Sequence, residues 1–290
     1  MALLWEVPLV GAGGEPISFA RTIHSHGCAG LPPAEVIAEP PRYRRRLRVG
    51  QRVVALTMQA RGKELAVESD FKLGRRDAHE ARRLVAAMFR LHDDLSPFYA
   101  QIAADERLGW AAAGAGRILA SPTVFEDVVK TICTTNCAWS ATIRMTTALV
   151  ELGGGAFPDA AVLARTPLKW YDDVARMGYR GPYVRTIAAE VAGGRLDLEC
   201  LTQRARYDDE TIEEFLLALP GVGPYAAAHI MQLLGRHRAL VLDSWTRPTY
   251  LRLSGRKRAV DATIRRDFAR YGEYAGLAFW LFLTRDWIED

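Results

Sequence analysis

The sequence predicts an α+β fold: a small antiparallel β-rich N-terminal domain over residues 1–72, then a mostly α-helical body over residues 73–290. Three observations predict it. Short β-favouring runs separated by glycine turns fill the first seventy residues. From about Arg75 onward, apolar residues recur at helical spacing. The chain has 290 residues, 49% hydrophobic and 25% charged, enough to bury a sizeable core in one large or two modest domains.

The elements follow in order. Runs 43–49, 52–58 and 64–68 are joined by Gly50-Gln51 and Arg61-Gly62-Lys63, which reads as an antiparallel meander. Residues 17–23 read as a further strand or a short helix. Pro32-Pro33 and Pro40-Pro41 mark loops. Helices are expected at 77–92, 96–104, 122–134, 138–153, 159–164, 168–176, 182–193, 209–219, 224–234, 244–253, 260–270 and 275–288, most of them separated by glycine-bearing connectors. There is no repeat and no low-complexity tract.

One stretch carries more functional information than the rest. Residues 208–219 are helical, with acids in the first turn and apolar positions at Ile212, Phe215, Leu216 and Leu219. Pro220-Gly221-Val222-Gly223 breaks that helix. Pro224 suits the first turn of a new one, which Gly235 closes. The result is a helix-hairpin-helix, although a Pro-Gly break also makes an ordinary turn between helices. A glycine hairpin lets backbone N–H groups approach a phosphate. Asp243 follows Gly221 by 22 positions and precedes Ser244-Trp-Thr-Arg-Pro248, a helix start. There the helix dipole and free N–H groups favour an ionised carboxylate, and most aspartates in such places are plain N-caps.

Composition excludes several classes. Net charge is +4, which permits a nucleic-acid partner without requiring one. No run of 18 apolar residues suggests a membrane span, and the first residues do not read as a signal peptide. Cys28, Cys133, Cys137 and Cys200 show no iron–sulfur spacing and suggest reduced thiols in a cytoplasmic, nucleoid-associated setting. His24-Ser-His26-Gly-Cys28 offers metal-ligating side chains but no fourth ligand nearby, so no metal is expected there. The basic run Arg42 and Arg44 to Arg46 reads either as a contact to DNA flanks or as a solvated strand face.

LPGVGxxxA with an aspartate some twenty residues later resembles the helix-hairpin-helix (HhH-GPD) DNA glycosylase superfamily. Thr131-Ile-Cys-Thr-Thr-Asn136 and Met177-Gly-Tyr-Arg-Gly-Pro-Tyr-Val184 are similar to segments of its 8-oxoguanine branch. The N-terminal strands are similar to the domain shared by the 8-oxoguanine and 3-methyladenine glycosylase II branches. The resemblance covers nearly the whole chain. It implies two helical lobes with an active-site cleft between them, and a duplex bearing a damaged base as partner.

It also implies roles. Gly221, Val222 and Gly223 would hold the DNA backbone. Asn136 and Tyr179 would fill the hole left by a flipped base, and Arg180 would face the orphaned base or a phosphate. Tyr225, His229 and Trp245 would line the base pocket. Trp139 either joins them or, the stronger reading for this residue, packs in the core. Asp243 would stabilise the positive charge that builds on the sugar and orient or deprotonate a water.

The lyase members carry a lysine nucleophile where this chain has Tyr225, and a phenol cannot form a Schiff base. A monofunctional hydrolase of N-glycosyl bonds is therefore expected. Lys130 and Lys169 lie elsewhere in the pattern. No cofactor is expected beyond a monovalent cation at the hairpin, and a monomer suits an enzyme that scans DNA. An aromatic pocket points to a cationic alkylated purine, whereas the Asn136 and Tyr179-Arg180 segments point to an oxidised one. The alternative reading is a non-catalytic protein that binds damaged or bent DNA through the same hairpin.

Overall fold

The structure, a computed structural model, describes residues 2–288. It opens with strand β1 (Ala2–Pro8) and a five-residue helix α1 (Phe19–Ile23). Strands β2 (Ala34–Ile37), β3 (Arg42–Val49), β4 (Arg52–Arg61) and β5 (Glu64–Ser69) follow. They form one antiparallel sheet in the order β1-β5-β4-β3-β2. The three strands read from sequence form its centre. Both edge strands lacked a clear signal: β2 has only four residues, and an irregularity between Leu3 and Trp5 breaks the alternation of β1. Residues 17–23 resolve as a helix because the Ser18 hydroxyl accepts from the N–H of Arg21.

The helical body contains α2 (Arg75–Met88), α3 (Ser96–Ile102), α4 (Val124–Thr134), α5 (Trp139–Leu152), α6 (Ala160–Arg165), α7 (Leu168–Asp173) and α8 (Arg180–Ala192). It continues with α9 (Asp209–Leu217), α10 (Pro224–Leu233), α11 (Thr246–Ser254), α12 (Asp261–Phe268) and α13 (Ala275–Thr284). Every helix expected after residue 73 is present, with ends shifted by a few residues.

Three cores organise these elements. The first joins the sheet to α1 and to the buried face of α2: Ala81, Leu84, Val85 and Met88. The core of the β domain therefore runs past residue 72. The second core spans Val124 to Leu234 and forms a middle lobe. The third combines Leu95–Ile118 with Leu240–Leu283, so the two ends of the helical body close on each other around the middle lobe. Helix α10 serves both lobes: Ile230 and Met231 lie in the middle core and Leu233 in the other. No helix is long and apolar enough to cross a membrane among the described residues.

Two buried ion pairs fix the N-terminal segment and its sheet to the body. Arg45, on the inward face of β3, pairs with Glu126 of α4, which also holds Lys130 at 2.7 Å. Glu15 pairs with Arg117. Arg45 is thus neither a DNA contact nor a solvated face. Its alternation on β3 with Tyr43, Leu47 and Val49 turns it inward.

Candidate active site

The hairpin forms as its residues dictate. Asp208 caps α9 by accepting from the N–H of Thr211 at 2.8 Å. Gly221 sits at φ +83°, a conformation that favours glycine. The space is closed as well: a Cβ there would lie 2.7 Å from Cδ2 of Tyr183. Gly223 precedes Pro224 at the start of α10, and open space surrounds its missing Cβ. No neighbouring atom therefore crowds the chain at Gly223, where α10 begins. At the other end of α10, Arg90 donates to the carbonyls of Leu233 at 2.6 Å and Leu234 at 2.8 Å, and Arg204 donates to that of Gly235. These cations satisfy the orphan carbonyls and complement the helix dipole.

Tyr183, which the sequence reading passed over, links the hairpin to a second feature. Its ring meets that of Tyr179 edge-on at 6.0 Å. Tyr179 stands at the start of α8 after Gly178 (φ +54°) and is 51% exposed. Asn136, exposed after α4 and at φ +46°, donates from Nδ2 to the Tyr179 hydroxyl at 3.4 Å. That hydrogen bond holds the Tyr179 phenol below its usual range. Asn136 and Tyr179 are 43 positions apart in sequence, so only the fold brings them together.

Arg180 departs from expectation. It is buried, and its guanidinium donates to the carbonyls of Thr135 (Nε at 3.1 Å) and Met177. The guanidinium also lies 4.4 Å from the centre of the Tyr179 ring. Arg180 is a strut between the Asn136 and Tyr179 arms rather than a side chain reaching outward. A three-residue motif does not reveal that a neighbouring loop offers a carbonyl.

Asp243 lies where the chain returns from α10 to the second lobe. Its Oδ1 accepts from the N–H groups of Trp245 (2.8 Å) and Thr246 (2.6 Å), and the Thr246 hydroxyl accepts from the N–H of Asp243 at 2.8 Å. This reciprocal cap fixes the carboxylate at the start of α11. Both bonds fall on Oδ1. Oδ2 takes no hydrogen bond among the described residues. A fixed carboxylate with one oxygen free can face a developing cation or hold a water.

Asp243 is close enough to act on the Tyr225 phenol, which burial pushes up to about 12. Tyr225 lies near the Thr134 hydroxyl at 3.4 Å and stacks on His229, with ring centres 6.2 Å apart and planes within 9°. His229 is buried and lowered by burial to about 3, a neutral imidazole at neutral pH. Trp245 is 40% exposed and packs against Trp280 (5.8 Å) and Trp287 (5.5 Å). Neither of these two tryptophans lies in a recognisable motif. Trp280 is positioned by donating from Nε1 to the carbonyl of Ser25 at 2.6 Å. Trp139 is exposed rather than in the core, and its ring approaches Gly27. The segment around Ser25 to Gly27 therefore touches aromatics from both sides.

The two lysines outside the motif differ in setting. Lys130 is buried in its pair with Glu126 and also reaches the carbonyl of Leu31 at 3.3 Å. Lys169 is exposed on α7, beside Asp173.

No protein-family model matches the chain, and no curated protein matches it. Solved structures do. A 3-methyladenine DNA-glycosylase from Archaeoglobus fulgidus is similar over 98% of this chain and 99% of its own, with 21% identity and a TM-score of 0.73. The Clostridium acetobutylicum 8-oxoguanine glycosylase/lyase, in complex with double-stranded DNA containing cytosine opposite 8-oxoG, is similar over 93% of this chain and 92% of its own, with 19% identity and a TM-score of 0.70. A DNA-3-methyladenine glycosidase from Bacillus halodurans covers 66% of this chain and 89% of its own, with 24% identity and a TM-score of 0.52. The chain has the α+β fold of these DNA glycosylases.

Proposed function

We propose that this protein is a monofunctional DNA N-glycosylase of base excision repair. It flips a damaged purine out of duplex DNA and hydrolyses its glycosidic bond. The observation that carries this reading is Asp243: a carboxylate held through Oδ1 at a helix start, with Oδ2 free, beside an aromatic cluster and following the hairpin. A protein that only bound DNA would gain nothing from a carboxylate near the phosphates, which it repels.

The division of labour follows. The N–H groups around Gly221, Val222 and Gly223 hold the phosphates, and a monovalent cation shared with hairpin carbonyls would strengthen that grip. Asn136 and Tyr179 enter the stack and offset part of the few kcal/mol lost on unstacking. Arg180 positions both. The base enters between Tyr225 and Trp245, with His229 beneath Tyr225. As the C1′–N bond breaks, Asp243 stabilises the cationic sugar and directs a water to it. Tyr225, in the place of the lyase lysine, stays neutral and cannot form a Schiff base. The tryptophans around Trp245 favour a cationic alkylated purine over a neutral oxidised one.

Duplexes bearing 3-methyladenine, 7-methylguanine, ethenoadenine, 8-oxoguanine, uracil or a G·T mismatch test this directly. Free base should appear from alkylated purines, with strand breaks only after alkali. Nicking without alkali would overturn the monofunctional assignment. Tight binding of bent DNA with no base released would favour the binding protein.

A further inference from the structure

The sequence segment that lacked a partner gains one in the fold. His229 on α10 comes to His26 and Cys28, and the ligating atoms of the three lie within 4.8 Å of one another. We propose that His26, Cys28 and His229 form a site for a zinc-class divalent transition metal, which ties the N-terminal segment to the second helix of the hairpin.

The chemistry of each donor supports it. His26 Nε2 is 2.7 Å from the carbonyl of Leu119. A carbonyl only accepts, so Nε2 carries the proton and Nδ1 keeps its lone pair. His26 Nδ1 is buried with no hydrogen-bond partner. A histidine whose other nitrogen donates to a backbone carbonyl is the usual arrangement of a metal-ligating imidazole. His229 Nε2 is likewise buried and without a partner. Two buried, unsatisfied ring nitrogens on residues that share one cluster are costly unless something satisfies them. His26, Cys28 and His229 share the lining of a cavity with room for about one water-sized sphere, roughly 10 Å³. Two imidazoles and a thiolate suit zinc, and three protein donors leave a fourth position for water.

The site is separate from the catalytic carboxylate yet adjacent to the base pocket. His229 carries the stacked Tyr225 ring, and Cys28 acts electrostatically on the Tyr225 phenol. A metal here would lock the floor on which Tyr225 rests. On binding, the Cys28 thiol gives up its proton to solvent as the sulfur–metal bond forms, so no oxidant or reductant is needed.

Metal content and cobalt spectroscopy test this without DNA, so the outcome is independent of base excision. Purified full-length protein should contain one zinc per chain. After chelation, cobalt(II) should give four-coordinate d–d bands and a thiolate-to-metal charge-transfer band, and either metal should raise the melting temperature. Cys28→Ser should lose the charge-transfer band, whereas Cys200→Ser, at a thiol remote from the cluster, should keep it. His229→Phe, which retains the stack on Tyr225, should weaken metal binding at least tenfold. The proposal is overturned if the wild-type protein takes up neither zinc nor cobalt stoichiometrically. It is equally overturned if Cys28→Ser, shown folded by circular dichroism, binds cobalt with the wild-type spectrum.

Discussion

At the scale of single residues, Asp243 is a structural cap in the place where the proposed reaction needs a carboxylate. Its Oδ1 is engaged by two backbone N–H groups, and this restraint holds Oδ2 in place for chemistry. Asp243→Asn keeps the cap, because the amide oxygen can accept the same bonds, but removes the charge. Base release should fall about 10²–10³-fold, the loss typical of removing one preorganised electrostatic group. Duplex affinity should hold or rise, because a negative charge near the phosphates is gone. Single-turnover base release and fluorescence anisotropy measure the two; unchanged release would remove Asp243 from the reaction. Asp243 was legible in the sequence because its spacing from the hairpin is a one-dimensional signal. Arg180 was not: its buried bonds to Thr135 depend on a loop 45 positions away.

At the scale of elements, the hairpin and the Asn136–Tyr179 pair form one continuous surface. Gly221 packs on Tyr183, Tyr183 on Tyr179, and Tyr179 on Asn136. Gly221→Ala places a Cβ against the Tyr183 ring and forces a left-handed backbone on alanine, which costs about 1–2 kcal/mol before any clash is relieved. Affinity for lesion and undamaged duplexes should fall together, read by anisotropy; wild-type affinity would separate the hairpin from DNA binding. Tyr179 and Arg180 divide differently. Tyr179→Ala trims an exposed ring, so stability should be unchanged while base release drops. Arg180→Met strips the donors from the Thr135 carbonyl and should lower stability by about 1–3 kcal/mol. Chemical denaturation and base release measured on both variants check this contrast; equal stability losses would refute the assignment of Arg180 as a strut. Helices such as α2 were legible from periodicity because they bury one face, whereas α10, buried almost all round, was legible from Pro224 and Gly235 at its ends. The edge strands were not, since β2 is short and β1 is irregular, and pairing with β3 and β5 fixes them more than local preference does.

At the scale of the whole molecule, the chain segment between α10 and Asp243 holds the lobes together. His237 lies in it, buried and stacked at 6.3 Å on Tyr274. Its backbone carbonyl accepts from the N–H groups of Gly276 (2.7 Å) and Leu277 (3.1 Å) at the start of α13. Burial lowers the His237 ring from 6.5 to about 3, and Arg90, Arg204 and Arg117 add to the shift against an opposing contribution from Asp93. The direction of the pH effect follows. The unfolded chain takes up this proton below about 6.5 and the folded one only near 3. The stability that the neutral ring contributes is therefore complete above about 6.5 and is lost as pH falls from there toward 3. At about pH 5 the loss from this one group is on the order of 2 kcal/mol. His237→Phe keeps a ring against Tyr274 and removes the titration. Urea unfolding at about pH 7.5 and about pH 5 should show the wild-type protein losing about 2 kcal/mol more than the variant between the two conditions. Equal losses would place the acid sensitivity elsewhere. The larger loss in the wild type would assign that share of the acid sensitivity to the buried ring between α10 and Asp243.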